Sequence, residues 1–183
     1  MTADDAWLHP GEKAAQARFG TSGLWDPNRL DAFFQDRLSA SLARFIESLP
    51  FFFIATADDQ GNCDCSYRGR EYNASGQALP LLRVVDGKHL VFPDYRGNGL
   101  FNSLGNIMLN PRIGMLFVDF QCRRRLRVNG HAEIIADPGG HAETWPLALR
   151  YVQVHVEQVY ANCRARVPRM ALLPLRDCEL QDE

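Results

Sequence analysis

Two rhythms of apolar residues divide this chain near residue 50. Before it, apolar positions recur at helical spacing; after it, they come in short runs and alternations. Asp26-Pro27 marks a helix start, with Asp as cap and Pro at the first helical position. Leu30, Phe33, Phe34, Leu38, Leu42, Phe45 and Ile46 then keep helical spacing through Ser48, ahead of Pro50, so one helix is expected over residues 27–48. Its aromatics read as core. A shorter helical turn is expected at Glu12–Arg18, before the Phe19-Gly20 and Ser22-Gly23 breaks.

Beyond Pro50 the pattern becomes that of strands. Phe51–Ala57 is wholly apolar and predicts a strand buried on both faces. Asp58-Asp59-Gln60-Gly61 makes a hairpin loop, and Asp64–Gly69 returns. Leu81–Val85 and His89–Pro93 flank Asp86-Gly87, a favoured tight-turn pair. A short helix is expected at Leu100–Leu109, with Leu100, Leu104, Ile107 and Met108 facing the core. Ile113–Phe120 and Arg124–Ile135 read as long strands, Pro138-Gly139-Gly140 as a break, and Tyr151–Tyr160 (YVQVHVEQVY) as an alternating, half-buried strand. At least six strands without βαβ alternation predict a mainly β, antiparallel barrel with flanking helices. The expected organisation is an N-terminal extension, residues 1–28, and a single domain, residues 29–183.

Composition narrows the partners. Apolar residues make up 46% and charged residues 23%, an ordinary globular balance. The net charge of -2 argues against nucleic acid, which calls for a basic excess. The local basic run Arg123–Arg127 is expected to serve a ligand or subunit contact rather than a polynucleotide. No apolar run approaches the length of a membrane span, and the acidic start MTADDAWLHPGEK lacks a signal-peptide core, so no membrane association and a cytoplasmic location are expected. Five cysteines, at 63, 65, 122, 163 and 178, have no CxxC spacing; reduced, space-filling thiols are the expectation, with Cys63 and Cys65 on one strand face. Histidines 9, 89, 131, 141 and 155 show no HxH or HExxH spacing, so no metal site is expected. No GxSxG or Cys/His arrangement supports hydrolysis.

The Asn- and Gly-rich segment before the helix at residue 100 places backbone amides where an anion is favourably held, and the arginines of the following hairpin add positive charge. The run FPDYRGNGLFNSLGNIMLNPRIGMLFVDF, followed by RRLRVNG, and the upstream FFFIATADDQGNCDCSYRG together resemble the pyridoxamine 5'-phosphate oxidase-like, FMN-binding split-barrel family. The resemblance spans Phe51–Glu133 and, more weakly, Val152–Cys163.

It implies a Greek-key-like split barrel, FMN as cofactor, and a homodimer holding the flavin between subunits, for which Phe117, Phe120 and the Tyr151–Tyr160 strand are the candidate contacts. It also implies cofactor-binding roles for Ser66, Arg68 and Arg83 on strands, and for Tyr95, Asn98, Asn102 and Ser103 around the phosphate. Arg124 and Arg125 align with an Arg-Gln pair that meets the flavin ring in vitamer-oxidising members. Read without the resemblance, Arg83 is alternatively an exposed strand charge, Arg124 and Arg125 are equally well solvated strand charges, and Asn106 equally well an exposed helix position. Many relatives carry a basic set at the helix start where this chain has Asn102-Ser103, which shifts phosphate neutralisation onto Arg68 and Arg83. The chain finishes RMALLPLRDCELQDE, without an Arg-x-x-Pro-like ending, so activity on that vitamer is not expected. The implied function is FMN-dependent oxidoreduction of a small molecule, with NAD(P)H or an organic donor, and no acid or base side chain can be named. The alternatives are a non-catalytic FMN-binding or sensing module, or a split barrel that uses deazaflavin or haem.

Overall fold

The structure is a computed structural model that describes residues 7–135 and 140–172. The Pro138-Gly139 break and Cys178 lie outside the described residues. Seven antiparallel strands form one sheet: β1 (Phe51–Ala57), β2 (Cys63–Gly69), β3 (Arg83–Asp86), β4 (His89–Asp94), β5 (Arg112–Asp119), β6 (Arg124–Ile135) and β7 (Arg150–Asn162), in the order β2-β1-β5-β6-β7-β4-β3. Hairpins join β1 to β2, β3 to β4 and β5 to β6, whereas β1 pairs with β5 and β4 with β7 by longer connections, as in a Greek key. The ends of this order, β2 and β3, are not paired with one another. The sheet curls into a split barrel, and Arg68 of β2 bonds Asp94 of β4 across the gap at 3.1 Å.

Alternation explains the filling of the barrel. Phe52, Ile54, Met115, Phe117, Leu126, Val128, Val152 and Val154 all point inward and are buried. Phe52 stacks on Phe117 at 5.2 Å and meets Phe92 edge-on at 5.3 Å. Trp145, fully buried, donates its indole N–H to the Pro80 carbonyl at 2.6 Å, which satisfies its only polar atom.

Among the described residues, α-helices that flank the strands are α1 (Pro10–Arg18), α2 (Pro27–Phe33), α3 (Ala40–Ser48), α4 (Asn102–Leu109) and α5 (His141–Thr144). None among the described residues is long and apolar enough to cross a membrane.

The single helix expected over residues 27–48 is two, α2 and α3. Tertiary hydrogen bonds win over local periodicity between them. Gln35 exchanges backbone bonds with Val159 of β7 (2.9 and 2.7 Å), and Leu38 N–H donates to the Gly87 carbonyl at 2.8 Å. Lys88 holds Asp36, and Ser39 restarts the helix as a cap, accepting from Leu42 N–H at 3.3 Å.

Three further expectations change. Phe51–Ala57 is buried on one face only: Phe51 and Phe53 are half-buried, Ala55 is exposed, and Phe51, Phe53 and Tyr67 form an aromatic patch on the outer face. Leu100 (72% exposed) and Met108 (77%) do not face the core. Because α4 begins at Asn102, Leu100 falls in the preceding loop, and the inward stripe becomes Ser103, Leu104 and Ile107. Phe117 lies in the core of its own chain, so it is not available as a subunit contact.

Candidate functional site

The barrel gap opens on a cleft of about 630 Å³ between β2, the segment from Asp94 to Leu104 and the start of β7. Strand alternation sends Ser66 and Arg68 of β2 to the cleft side by side. Across the gap, Asp94 ends β4 almost completely buried. The β4–β7 register pairs Asp94 with Arg150, whose Nε lies 3.6 Å from the second carboxylate oxygen. One buried carboxylate thus holds two arginines, Arg68 and Arg150, at the cleft wall. Arg96 adds a third guanidinium and Asp64 a second carboxylate, which leaves the lining net positive.

The far wall is the loop 95–101. Asn98 folds it by accepting from Leu100 N–H at 3.0 Å, and Gly99 takes φ 80°, a left-handed conformation that suits glycine. Phe101 also has positive φ (57°), uncommon for a bulky residue, and serves as N-cap of α4 with no side-chain cap bond. The first amides of α4 therefore have no capping side chain, at the positive end of the helix dipole beside the cleft. The Arg150 guanidinium covers the Phe101 ring at 4.9 Å, tying this loop to β7. Ser103 is buried and donates to Asp64 at 3.0 Å, and Asn106 donates to buried Thr56 at 3.1 Å, so both anchor α4 to the sheet. Asn106 is thus a half-buried tether, not an exposed position.

Two polar atoms at this site are buried without a hydrogen-bond partner, Arg68 Nε and Tyr95 Oη. Such groups are costly unless something satisfies them. Burial, with Glu71 and Tyr151 adding to it, pushes the Tyr95 phenol up to about 12, so it stays a neutral donor.

The sequence-selected residues divide in two. Ser66, Arg68, Tyr95, Asn98, Asn102 and Ser103 all line the cleft, and Arg83, Arg124 and Arg125 do not. Arg83 is exposed on β3 opposite Val91, near enough to His141 to help burial lower that imidazole's pKa. Arg124 lies over the Phe45 ring at 4.3 Å, and Arg125 pairs with Val118 and Asn162 within the sheet. Arg123, at φ 56° in the hairpin turn, donates to the carbonyls of Val167 and Arg164.

Sequence reasoning missed Asp94, Arg96 and Arg150. Arg96 sits inside the quoted Tyr95–Asn98 stretch and was legible there. Arg150 was not, because only the pairing of β4 with β7 sets it against Asp94.

No curated protein sequence matches this chain. Among solved structures it is similar to Group A Streptococcus HupZ, at 18% identity and a TM-score of 0.52, over 68% of this chain and 93% of that one. It is equally similar to a candidate pyridoxamine 5'-phosphate oxidase from Lactobacillus delbrueckii, at 19% identity and a TM-score of 0.52, over 69% of this chain and 95% of the other. These likenesses carry the fold. The family model for pyridoxamine 5'-phosphate oxidase matches residues 38–172, which takes in the barrel, the cleft and every arginine around it. On that match, over well more than half of its length, the chain belongs to the pyridoxamine 5'-phosphate oxidase family.

Proposed function

We propose that this protein binds FMN in the cleft between β2, the loop 95–101 and Arg150, and acts as an FMN-dependent oxidoreductase on a small molecule. The observation that carries this reading is the convergence of Arg68, Arg96 and Arg150 with the uncapped start of α4 on one cleft. Guanidinium groups and helix-start amides are the donors a phosphate monoester takes. The cleft's volume, about 630 Å³, lies in the range of small-molecule sites.

The residues fit the cofactor. Arg68 keeps a buried, unpartnered Nε that a phosphate oxygen can satisfy, and Arg150 stands beside it on the same carboxylate. Tyr95, neutral and unpartnered, offers an O–H to a carbonyl or ring acceptor. Ser66 and Asn102 add neutral polar groups, and Asn98 shapes the loop. When bound, FMN supplies the hydride and electron chemistry, and the chain supplies binding and orientation. The proposed assembly is a homodimer, in which the outer aromatic patch of Phe51, Phe53 and Tyr67 gives apolar surface for a second copy to cover and Arg124 and Arg125 are the residues to reach a partner's flavin.

The test is a fluorescence titration with FMN, riboflavin and FAD. FMN is expected to bind at least about tenfold tighter than riboflavin, since a charge-assisted phosphate contact is worth about 1.5–3 kcal/mol. Equal affinity for FMN and riboflavin, or no flavin binding, would overturn the phosphate assignment. NAD(P)H oxidation by the FMN-loaded protein with an added acceptor tests turnover, and failure there leaves a binding or sensing module.

A further inference from the structure

A second cluster of chemistry-bearing side chains stands on the outer face of the sheet. The β6–β7 register sets His131 directly opposite His155, and Glu157 follows on the same side of β7. One ligand atom from each of the three lies within 4.8 Å of the others. Spacing along the sequence does not reveal this set, because His131 joins it from a neighbouring strand.

The backbone is specialised at this point. Pairing runs from Asn129 with Gln158 to Gly130 with Val156, which leaves Glu157 as the extra residue of a β-bulge. Bulges re-aim side chains and recur beside functional sites. Gly130 is what lets the strands approach: a Cβ there would collide with the His155 carbonyl oxygen. The side chains around the cluster are also held. Glu157 takes His131 Nδ1 on Oε1 at 2.7 Å and Arg112 on Oε2 at 2.7 Å. His155 stacks on the His89 ring at 5.2 Å, and Asp86 holds His89 through Nδ1 at 2.9 Å.

We propose that His131, His155 and Glu157 bind a divalent transition-metal ion of the zinc class. Two imidazoles and one carboxylate form a donor set suited to zinc, whose tetrahedral bonds of about 2.0–2.1 Å need ligand atoms roughly 3.3 Å apart. The exposed His155 side chain can close the remaining distance by a rotamer adjustment. The ion replaces the His131–Glu157 hydrogen bond, while Arg112 keeps the other carboxylate oxygen and orients it from the outer sphere. Three protein ligands leave one position open. Glu157 and Arg112 line a surface depression of about 360 Å³ whose walls include Ala55, Gly114 and Gly130, so a water or a small anionic ligand has room on the metal.

Titration calorimetry of the full chain with zinc chloride tests this, with cobalt(II) as a spectroscopic substitute. One equivalent of zinc is expected to bind, with affinity reduced more than about tenfold in both His155→Ala and Glu157→Gln. Cobalt should show tetrahedral d–d bands without thiolate charge transfer, and Cys63→Ser should bind as wild type does. Circular dichroism and FMN titration confirm that the variants fold. Absence of zinc binding by the wild type, unchanged binding in both variants, or thiolate charge transfer would overturn the assignment.

Discussion

Replacing Arg150 by Ala separates the two roles the structure gives it. As a structural group, Arg150 shares Asp94 with Arg68, at 3.6 Å against 3.1 Å, with 27% of its side chain exposed. Its loss leaves Asp94 paired with Arg68, so no buried charge is stranded. A partly exposed pair is worth about 1 kcal/mol or less, and the Phe101 contact about 0.5–1 kcal/mol more. The expected loss of unfolding free energy is therefore about 0.5–2 kcal/mol. As a phosphate ligand it is worth about 1.5–3 kcal/mol, or roughly 10- to 150-fold in FMN affinity. Riboflavin, which has no phosphate, is expected to bind the variant and the wild type alike, so the preference for FMN over riboflavin should collapse. Denaturant melts give the first quantity and paired fluorescence titrations the second. Arg83→Ala is the comparison: exposed on β3 and away from the cleft, it should bind FMN within about twofold of wild type. The reasoning is refuted if Arg83→Ala loses tenfold or more while Arg150→Ala retains wild-type FMN affinity.

Two other outcomes follow from the same geometry. Tyr95 should keep its proton until about pH 12, and Tyr95→Phe should remove a late step from the tyrosinate absorbance titration. Because burial disfavours the phenolate in the fold, the unfolded chain loses this proton first, and stability should fall as pH rises from about 10 through 12. Phe117→Ala should cost about 3–5 kcal/mol in a denaturant melt, since Phe117 is fully buried against Phe52; a loss below about 1 kcal/mol would mean the ring is not core.

Local pattern was enough for the strands. Alternation at Tyr151–Tyr160 and the Asp86-Gly87 turn reflect period-two burial and turn chemistry, which neighbouring residues dictate among themselves, whereas the apolar run at Phe51 gave the strand but not that only one of its faces is buried. The quoted motif likewise carried six of the cleft residues, from Ser66 to Ser103, because they lie on two short, recognisable segments. Where a helix stops was not legible between Phe34 and Ser39. The helical stripe continues there, and what interrupts it is a backbone bridge to Val159, more than a hundred residues away.

What this sequence determined by itself is the strands, the barrel class and the Asn- and Gly-rich loop before residue 102, all consequences of contacts within a few residues. Only the tertiary structure decided which charges meet. The β4–β7 register brings Arg150 to Asp94, and the β6–β7 bulge gathers His131, His155 and Glu157. It also left Arg83 exposed on its own strand and turned Leu100 outward. Strand order and register are nonlocal, and a one-residue shift moves a side chain to the opposite face, so a residue's partners depend on pairing that no local window contains.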